Sequence, residues 1–294
     1  MKVATYRYRG ERGVGLVDRA AGTVQPFDLA PAQAAEGIQS LIECQVEGRD
    51  LPATGKALGL DEIELEAPLP RPRRNIFCVG KNYHDHAHEF AGSGFDSSAA
   101  QGAVPEFPIV FSKVPESVIG PGASIEYDPE VSAAIDYEVE LAVIIGRGGR
   151  GITREQAMEH VWGYTIINDV TARDLQGRYS QWLIGKSQDT FCPMGPVAVT
   201  RDEIDLADTG VRTFLNGEKR QDSNTGLLIF DVPTIIETIA AGVTLLPGDV
   251  IATGTPAGVG IGFKPPKYMT DGDVVRCEID AIGELENTLR RRPA

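Results

Sequence analysis

Glu138 and Glu140 stand two residues apart in "AAIDYEVELAVIIG", residues 133–146. There Ile135, Tyr137, Val139, Leu141 and Val143 alternate with Asp136, Glu138, Glu140 and Ala142. Strict alternation predicts a strand, and alternate residues share one of its faces with Cα atoms roughly 6.7 Å apart. Two carboxylates that close repel each other and resist burial. Two readings account for them: a solvated sheet face, or a divalent cation held between the acids. A cation needs a further oxygen ligand. "WGYTIINDVTARDLQ" offers one, where an apolar strand ends in Asn168-Asp169, although acids at strand ends are also ordinary turn residues.

A rival chemistry sits next to the first strand. "AVIIGRGGRGITREQ" carries G-x-G-x-x-G at Gly146, Gly148 and Gly151, with Asp169 at the end of the next strand. That spacing is close to a dinucleotide-binding fingerprint and would make the protein a nicotinamide-dependent oxidoreductase. Three features argue against it. The capping Thr153 starts the expected helix beyond the glycines. The preceding strand carries acids that a strand buried between helices would reject. The motif also falls mid-chain, inside strand-rich sequence. NADH binding without metal dependence would favour the oxidoreductase. Metal binding without turnover would favour a third class, a non-catalytic metal-binding protein.

The elements that must position these residues are mostly strands. "KVATYRYR" and "GVGLVD" read as a hairpin turning within Gly10 to Gly13, "AQAAEGIQSLIECQ" as one helix, and "EIELE" as a short strand. Pro68, Pro70 and Pro72 in "APLPRPRRN" break regular structure, which sets an expected domain boundary between 1–67 and 68–294. Beyond it "IFCVG", "WGYTIIND", "MGPVAVT" and "LLPGDVIATG" read as strands, and "VRTFLNGEKRQ" as a hairpin turning at Asn216-Gly217. "DGDVVRCEIDAIGELENTLR" reads as a closing hairpin. Two helices are expected: Arg154 to His160, capped by Thr153 with Gln156 three residues later, and "DVPTIIETIAA", capped by Asp231. Residues 91 to 107, "AGSGFDSSAAQGAVPEF", form a long small-residue loop suited to a lid.

Taken together, "DYEVELAVIIG", "GYTIINDVTARDLQ", "GKSQDTFCPMGP" and "GDVIATGTPAGVG" resemble the fumarylacetoacetate hydrolase family in order and spacing. "FCVGKNYHDHAHE" and "FSKVPESVIGPG" match as well, so the resemblance spans roughly residues 70 to 290. It implies that Glu138, Glu140 and Asp169 are the carboxylate ligands of Mg²⁺ or Mn²⁺, and oxygen-only ligands do suit such hard cations. The enzyme that names the family has a further acidic ligand seven residues before its catalytic histidine. Val79 stands there in this chain. The resemblance is therefore to the three-carboxylate branch, which includes acylpyruvate hydrolases and oxaloacetate decarboxylases.

"NYHDHAHEF" holds His84, His86 and His88. If helical, as the resemblance implies, i and i+2 point apart and cannot share a metal, whereas His86 and Glu89 share a face. The resemblance implies that this pair activates water; the alternative is an incidental ion pair on a surface helix, with His84 and His88 as surface residues in either case. Arg173 lies four residues after Asp169 and Gln176 three after that, a spacing that aligns them on one helix side. Lys186 matches the family's lysine near the substrate oxygen, and Thr255 a contact to the substrate carboxylate. Lys113 lies in a matched motif as a further substrate-binding candidate.

The fold these matches imply is strand-rich α+β, a mixed β-sandwich roll with short helices behind a small N-terminal α/β unit. Homodimers are usual in the family. The implied reaction is hydrolysis of a carbon–carbon bond in a 2,4-dioxo acid such as an acylpyruvate, through a pyruvate enolate, with a place in aromatic catabolism. Oxaloacetate decarboxylation, 2-hydroxy-dienoate isomerisation and sugar-acid dehydration are the alternatives on the same scaffold.

Composition narrows the partners without naming a function. In 294 residues, 42% hydrophobic and 24% charged is ordinary for a globular protein. A net charge of -14 argues against nucleic acid or anionic membrane as partner. No apolar run approaches 18 residues, and "MKVATYRYRGERG" lacks the apolar core of a signal peptide. Cys44, Cys78, Cys192 and Cys277 form no CxxC and read as free thiols of a cytoplasmic protein.

Overall fold

The computed structural model describes residues 1–91, 104–179 and 181–292. Its centre is the strand Val139–Ile145, which has Val161–Asn168 on one side and Val250–Ala252 on the other. The acid-bearing segment is not one strand. It breaks at Tyr137–Glu138, separating Val139–Ile145 from a two-residue strand, Ile135–Asp136, that pairs with Thr171–Ala172.

Both faces of Val139–Ile145 are buried. Leu141, Val143 and Ile145 join one apolar cluster, while Ala142 and Ile144 join another. The face that carries Glu138 and Glu140 therefore runs on into dry core, and a solvated sheet face is excluded: the two acids are 4% and 1% exposed.

Twelve strands among the described residues form the larger sheet. From the centre it passes through Val161–Asn168 and Cys192–Thr200 to Lys2–Tyr8, and in the other direction through Val250–Ala252 and Ile76–Gly80 to Ile109–Lys113 at the edge. The sheet crosses the proline-rich segment without interruption, since Lys2 pairs with Val199 and Val3 with Ala198. Most pairings are antiparallel; Val250–Ala252 with Ile76–Gly80 is parallel. A five-stranded sheet packs on the centre, burying Val211, Val275, Cys277 and Leu285 against Leu141, Tyr164 and Val197. Its hairpin turns at Asn216-Gly217, as the sequence predicts.

Two expected helices are shorter than their patterns. The segment read as one N-terminal helix is Pro31–Ala35 and Gln39–Val46, parted at Gly37. Gly37 has φ +64, and a Cβ there would lie 2.2 Å from the Pro68 carbonyl oxygen. The Ile38 amide bonds that same carbonyl at 3.0 Å, so a tertiary contact breaks the helix. The expected helix after Thr153 is only a 3₁₀ turn, Ala157–His160; Thr153 lies outside it and its amide meets the Gln156 side chain. Val232–Ala240 forms as expected, with Asp231 Oδ1 accepting from the Thr234 amide at 3.0 Å. The glycine-rich segment joins two antiparallel neighbours, Val139–Ile145 and Val161–Asn168, as a hairpin does. A dinucleotide fingerprint needs a parallel crossover, so the oxidoreductase reading is excluded on topology.

Candidate active site

Three carboxylates converge at the open end of the central hairpin. The register pairs Val139 with Asn168, so Glu138 and Asp169 are the next residues beyond it on each strand. The Asp169 amide donates to the Glu138 carbonyl at 2.8 Å, and the Glu138 amide donates to Asn168 Oδ1 at 3.0 Å. Glu140 lies one turn of the pleat further along. Ligand-type oxygens of Glu138, Glu140 and Asp169 all lie within 4.8 Å of one another, and all three residues are buried.

Cations reach the cluster from remote elements. Lys186, at the end of the helix Leu183–Lys186, donates to Glu138 Oε2 and Asp169 Oδ2, each at 2.7 Å. Lys113, the last residue of the edge strand Ile109–Lys113, donates to Asp169 Oδ1 at 2.7 Å. Arg173 opens the helix Arg173–Arg178 and sets Nη2 2.7 Å from Glu138 Oε1. Its Nε donates to Asp136 Oδ2 at 2.8 Å and its Nη1 to Gln176 Oε1 at 3.0 Å. Asp136, read from the sequence as a third acid of one stripe, turns away at the strand break. It fixes Arg173 and accepts from the Gly260 and Ile261 amides at 2.7 and 3.0 Å.

Charge is not evenly balanced over the three acids. Burial alone would raise Glu138, but Lys186 and Arg173 overcome that and hold it below the usual carboxylate range. Burial pushes Glu140 well above that range, and Asp169 and Glu138 push it further; it accepts from the Gly254 amide at 2.8 Å. A buried carboxylate repelled by two others is what a hard divalent cation would neutralise, so the donor set fits Mg²⁺ or Mn²⁺.

Beside the acids, the helix His84–Ala91 buries His86 and leaves His84 and His88 exposed. His86 Nδ1 lies 3.2 Å from Glu89 Oε2. Glu89 in turn accepts from the Gly258 amide at 3.1 Å. Gly262 packs against the Glu89 carboxylate so closely that a Cβ there would lie 1.8 Å from Oε1. The pair is thus held by the loop that Asp136 also anchors.

One cavity joins these groups. His86, Glu138, Glu140, Arg173, Gln176, Lys186 and Thr255 line it, with Lys81, Phe90, Phe111 and Trp182. Glu89, Asp169 and Lys113 stand behind that lining, bonded to His86, Lys186 and Asp169 respectively. Lys81 and Gln221 belong to this neighbourhood without having been singled out from sequence. Lys81 was visible beside "NYHDHAHE"; Gln221, in a hairpin strand far along the chain, carried no local signal. The expected lid at 91–107 lies for the most part outside the described residues.

Residues 75–290 match the family described as fumarylacetoacetate (FAA) hydrolase C-terminal. Oxaloacetate tautomerase YisK of Bacillus subtilis (strain 168) is 47% identical over 308 residues, covering 98% of this chain and 100% of that one. The mitochondrial oxaloacetate tautomerase fahd2 of Xenopus laevis is 45% identical over 78% of this chain and 69% of its own length. The solved structure described as a fumarylacetoacetate hydrolase from psychrophilic Exiguobacterium antarcticum superposes with a TM-score of 0.84 at 43% identity, covering 99% of this chain and 100% of that one.

Proposed function

The chain is an enzyme-family member, of the fumarylacetoacetate hydrolases, and we propose that its site interconverts the keto and enol forms of oxaloacetate or a similarly short 2-oxo dicarboxylic acid. The observation that carries this reading is the end-to-end likeness to the Bacillus tautomerase, at 47% identity over 98% of this chain. It favours oxaloacetate chemistry, one of the sequence alternatives, over hydrolysis of a 2,4-dioxo acid. The cavity's lining also supports a small anionic substrate, because Arg173, Lys186, Gln176 and Thr255 converge in it beside the acids.

Tautomerisation needs one carbon-bound proton to leave and one oxygen-bound proton to arrive. In this reading the His86 imidazole takes the proton from C3, and Glu89 fixes the tautomer that leaves the facing nitrogen free to do so. The electron pair moves into the C2–C3 bond and the carbonyl oxygen becomes an enolate oxygen. Lys186 supplies positive charge for that oxygen, and the proton held by the His86 imidazolium passes to it, directly or through solvent, which completes the enol and resets the base. Arg173, Gln176 and Thr255 bind substrate oxygens, and Lys113 holds Asp169 in place. Glu138, Glu140 and Asp169 would hold Mg²⁺ or Mn²⁺, which when bound supplies a Lewis-acid charge toward a 2-oxo acid. The working unit in this proposal is a homodimer.

The test is to follow the decay of freshly dissolved enol-oxaloacetate with Mg²⁺ or Mn²⁺, while pyruvate formation and acylpyruvate cleavage are measured on the same enzyme. Enol decay should be accelerated well beyond either of the other reactions. Acylpyruvate cleavage with no effect on enol decay would reverse the assignment.

A further inference from the structure

Gln221 lies on the strand Glu218–Asn224 of the smaller sheet, outside every motif that carries the family resemblance, and is fully buried. Its amide makes four hydrogen bonds. Oε1 is approached by the Val139 amide at 3.2 Å and by Thr213 Oγ1 at 2.7 Å. Nε2 is approached by the Pro256 carbonyl at 2.7 Å and by Thr255 Oγ1 at 2.8 Å.

Two of these partners have no choice of role. A backbone N–H only donates, so the atom facing Val139 must be the oxygen. A carbonyl only accepts, so the atom facing Pro256 must be the nitrogen. The amide orientation follows from the network, and with it the direction of the remaining two bonds. Nε2 must donate to Thr255 Oγ1, so the threonine oxygen is an acceptor there. Its hydroxyl hydrogen is then available elsewhere, and Thr255 lines the cavity. Among the described residues that hydrogen has no acceptor.

We propose that Gln221 is a positioning residue that turns the Thr255 hydroxyl into a donor aimed at a carboxylate oxygen of the bound 2-oxo acid. The inference rests on the cavity's being the substrate site, as proposed above. An unrestrained threonine hydroxyl can direct its hydrogen at a neighbouring carbonyl instead and then offers an anion only lone pairs. With Gln221 in place that choice is removed before substrate arrives, so no reorientation is needed on binding. The same side chain holds the Val139 amide, between two of the acids, which ties the threonine to the carboxylate cluster.

The experiment is a double-mutant cycle read by calorimetric binding of oxalate, at Mg²⁺ saturating for each variant. Oxalate is not turned over, so the outcome does not depend on which reaction the enzyme performs; a failed tautomerase assay with an intact cycle would indict only the proposed reaction. Thr255→Val should weaken oxalate about 10- to 100-fold, the range for a hydrogen bond to a charged group. Gln221→Met should weaken it roughly tenfold alone and add almost nothing in the Thr255→Val background. Gln221→Glu presents an acceptor to Thr255 and should reproduce the loss, which keeps the test open if the Met variant misfolds. A Gln221 variant with wild-type oxalate affinity, or one that weakens binding equally with and without the Thr255 hydroxyl, would overturn the proposal and leave Gln221 a purely structural residue.

Discussion

Replacing Glu140 by Gln should stabilise the metal-free protein while removing its response to metal. The reason is that Glu140 is repelled by Glu138 and Asp169 without an ion pair of its own to match those of its neighbours. At the separations of this cluster and an effective dielectric of about 20, a like-charge pair opposes ionisation by a few kcal/mol. Protonation sets a ceiling on that penalty, of about 1.4 kcal/mol per pH unit above the unfolded value near 4.3, or about 4 kcal/mol at pH 7. Because the folded-state carboxyl is raised, the native protein holds this proton more tightly than the unfolded chain does. Metal-free stability is therefore fully present below about pH 4 and is lost as pH rises through the folded-state value. The amide can still accept from the Gly254 N–H and also donate to a neighbouring carboxylate.

The assay is urea and thermal unfolding of wild type and Glu140→Gln in EDTA at pH 5 and pH 7. The variant should be more stable by about 3 kcal/mol at pH 7, roughly 5–10 °C in Tm, and by only about 1 kcal/mol at pH 5. Adding Mg²⁺ at a hundred times its Kd should raise wild type by about 2.7 kcal/mol and leave the variant unchanged. A variant less stable than wild type in EDTA at pH 7, or equally favoured at both pH values, would refute the electrostatic account of the cluster.

Three further expectations concern the proton-transfer and anion-binding groups. His86→Ala should slow tautomerisation by about 10²–10⁴-fold but oxaloacetate decarboxylation by only roughly tenfold, because loss of carbon dioxide requires no base; equal losses in parallel assays would withdraw His86 as the base. Gly262→Ala should displace the Glu89 carboxylate and lower turnover by on the order of 10²-fold, with Mg²⁺-induced stabilisation intact in melting curves. Arg173→Met strands Asp136 without its buried cation and leaves Glu138 with Lys186 alone, and should lose about 3–5 kcal/mol in urea unfolding; a loss below about 1 kcal/mol would contradict the burial of that network.

Much of this site was legible in the sequence wherever the information was local. The two-residue spacing of Glu138 and Glu140 put both acids on one face, because the strand period is two whatever the tertiary context. The three-residue spacing of His86 and Glu89 likewise placed them together once the segment was helical. Turn chemistry at Asn216-Gly217 and the Asp231 cap were readable for the same reason: each is a property of a few consecutive residues. The dryness of the acidic face was not readable, since it comes from Ile38, Leu41 and Ile42, about a hundred positions away, in the same apolar cluster as Ala142 and Ile144. The break at Tyr137–Glu138, which sends Asp136 to Arg173, was hidden by an alternation that continues unbroken through it. The helix break at Gly37 rests on a contact with Pro68, where helix periodicity pointed the other way. Local sequence thus determined which residues face the same way on each element. Register and long-range packing alone decided which elements meet, and so brought Asp169, Lys113, Lys186 and Gln221 to the acids from four separate stretches of chain.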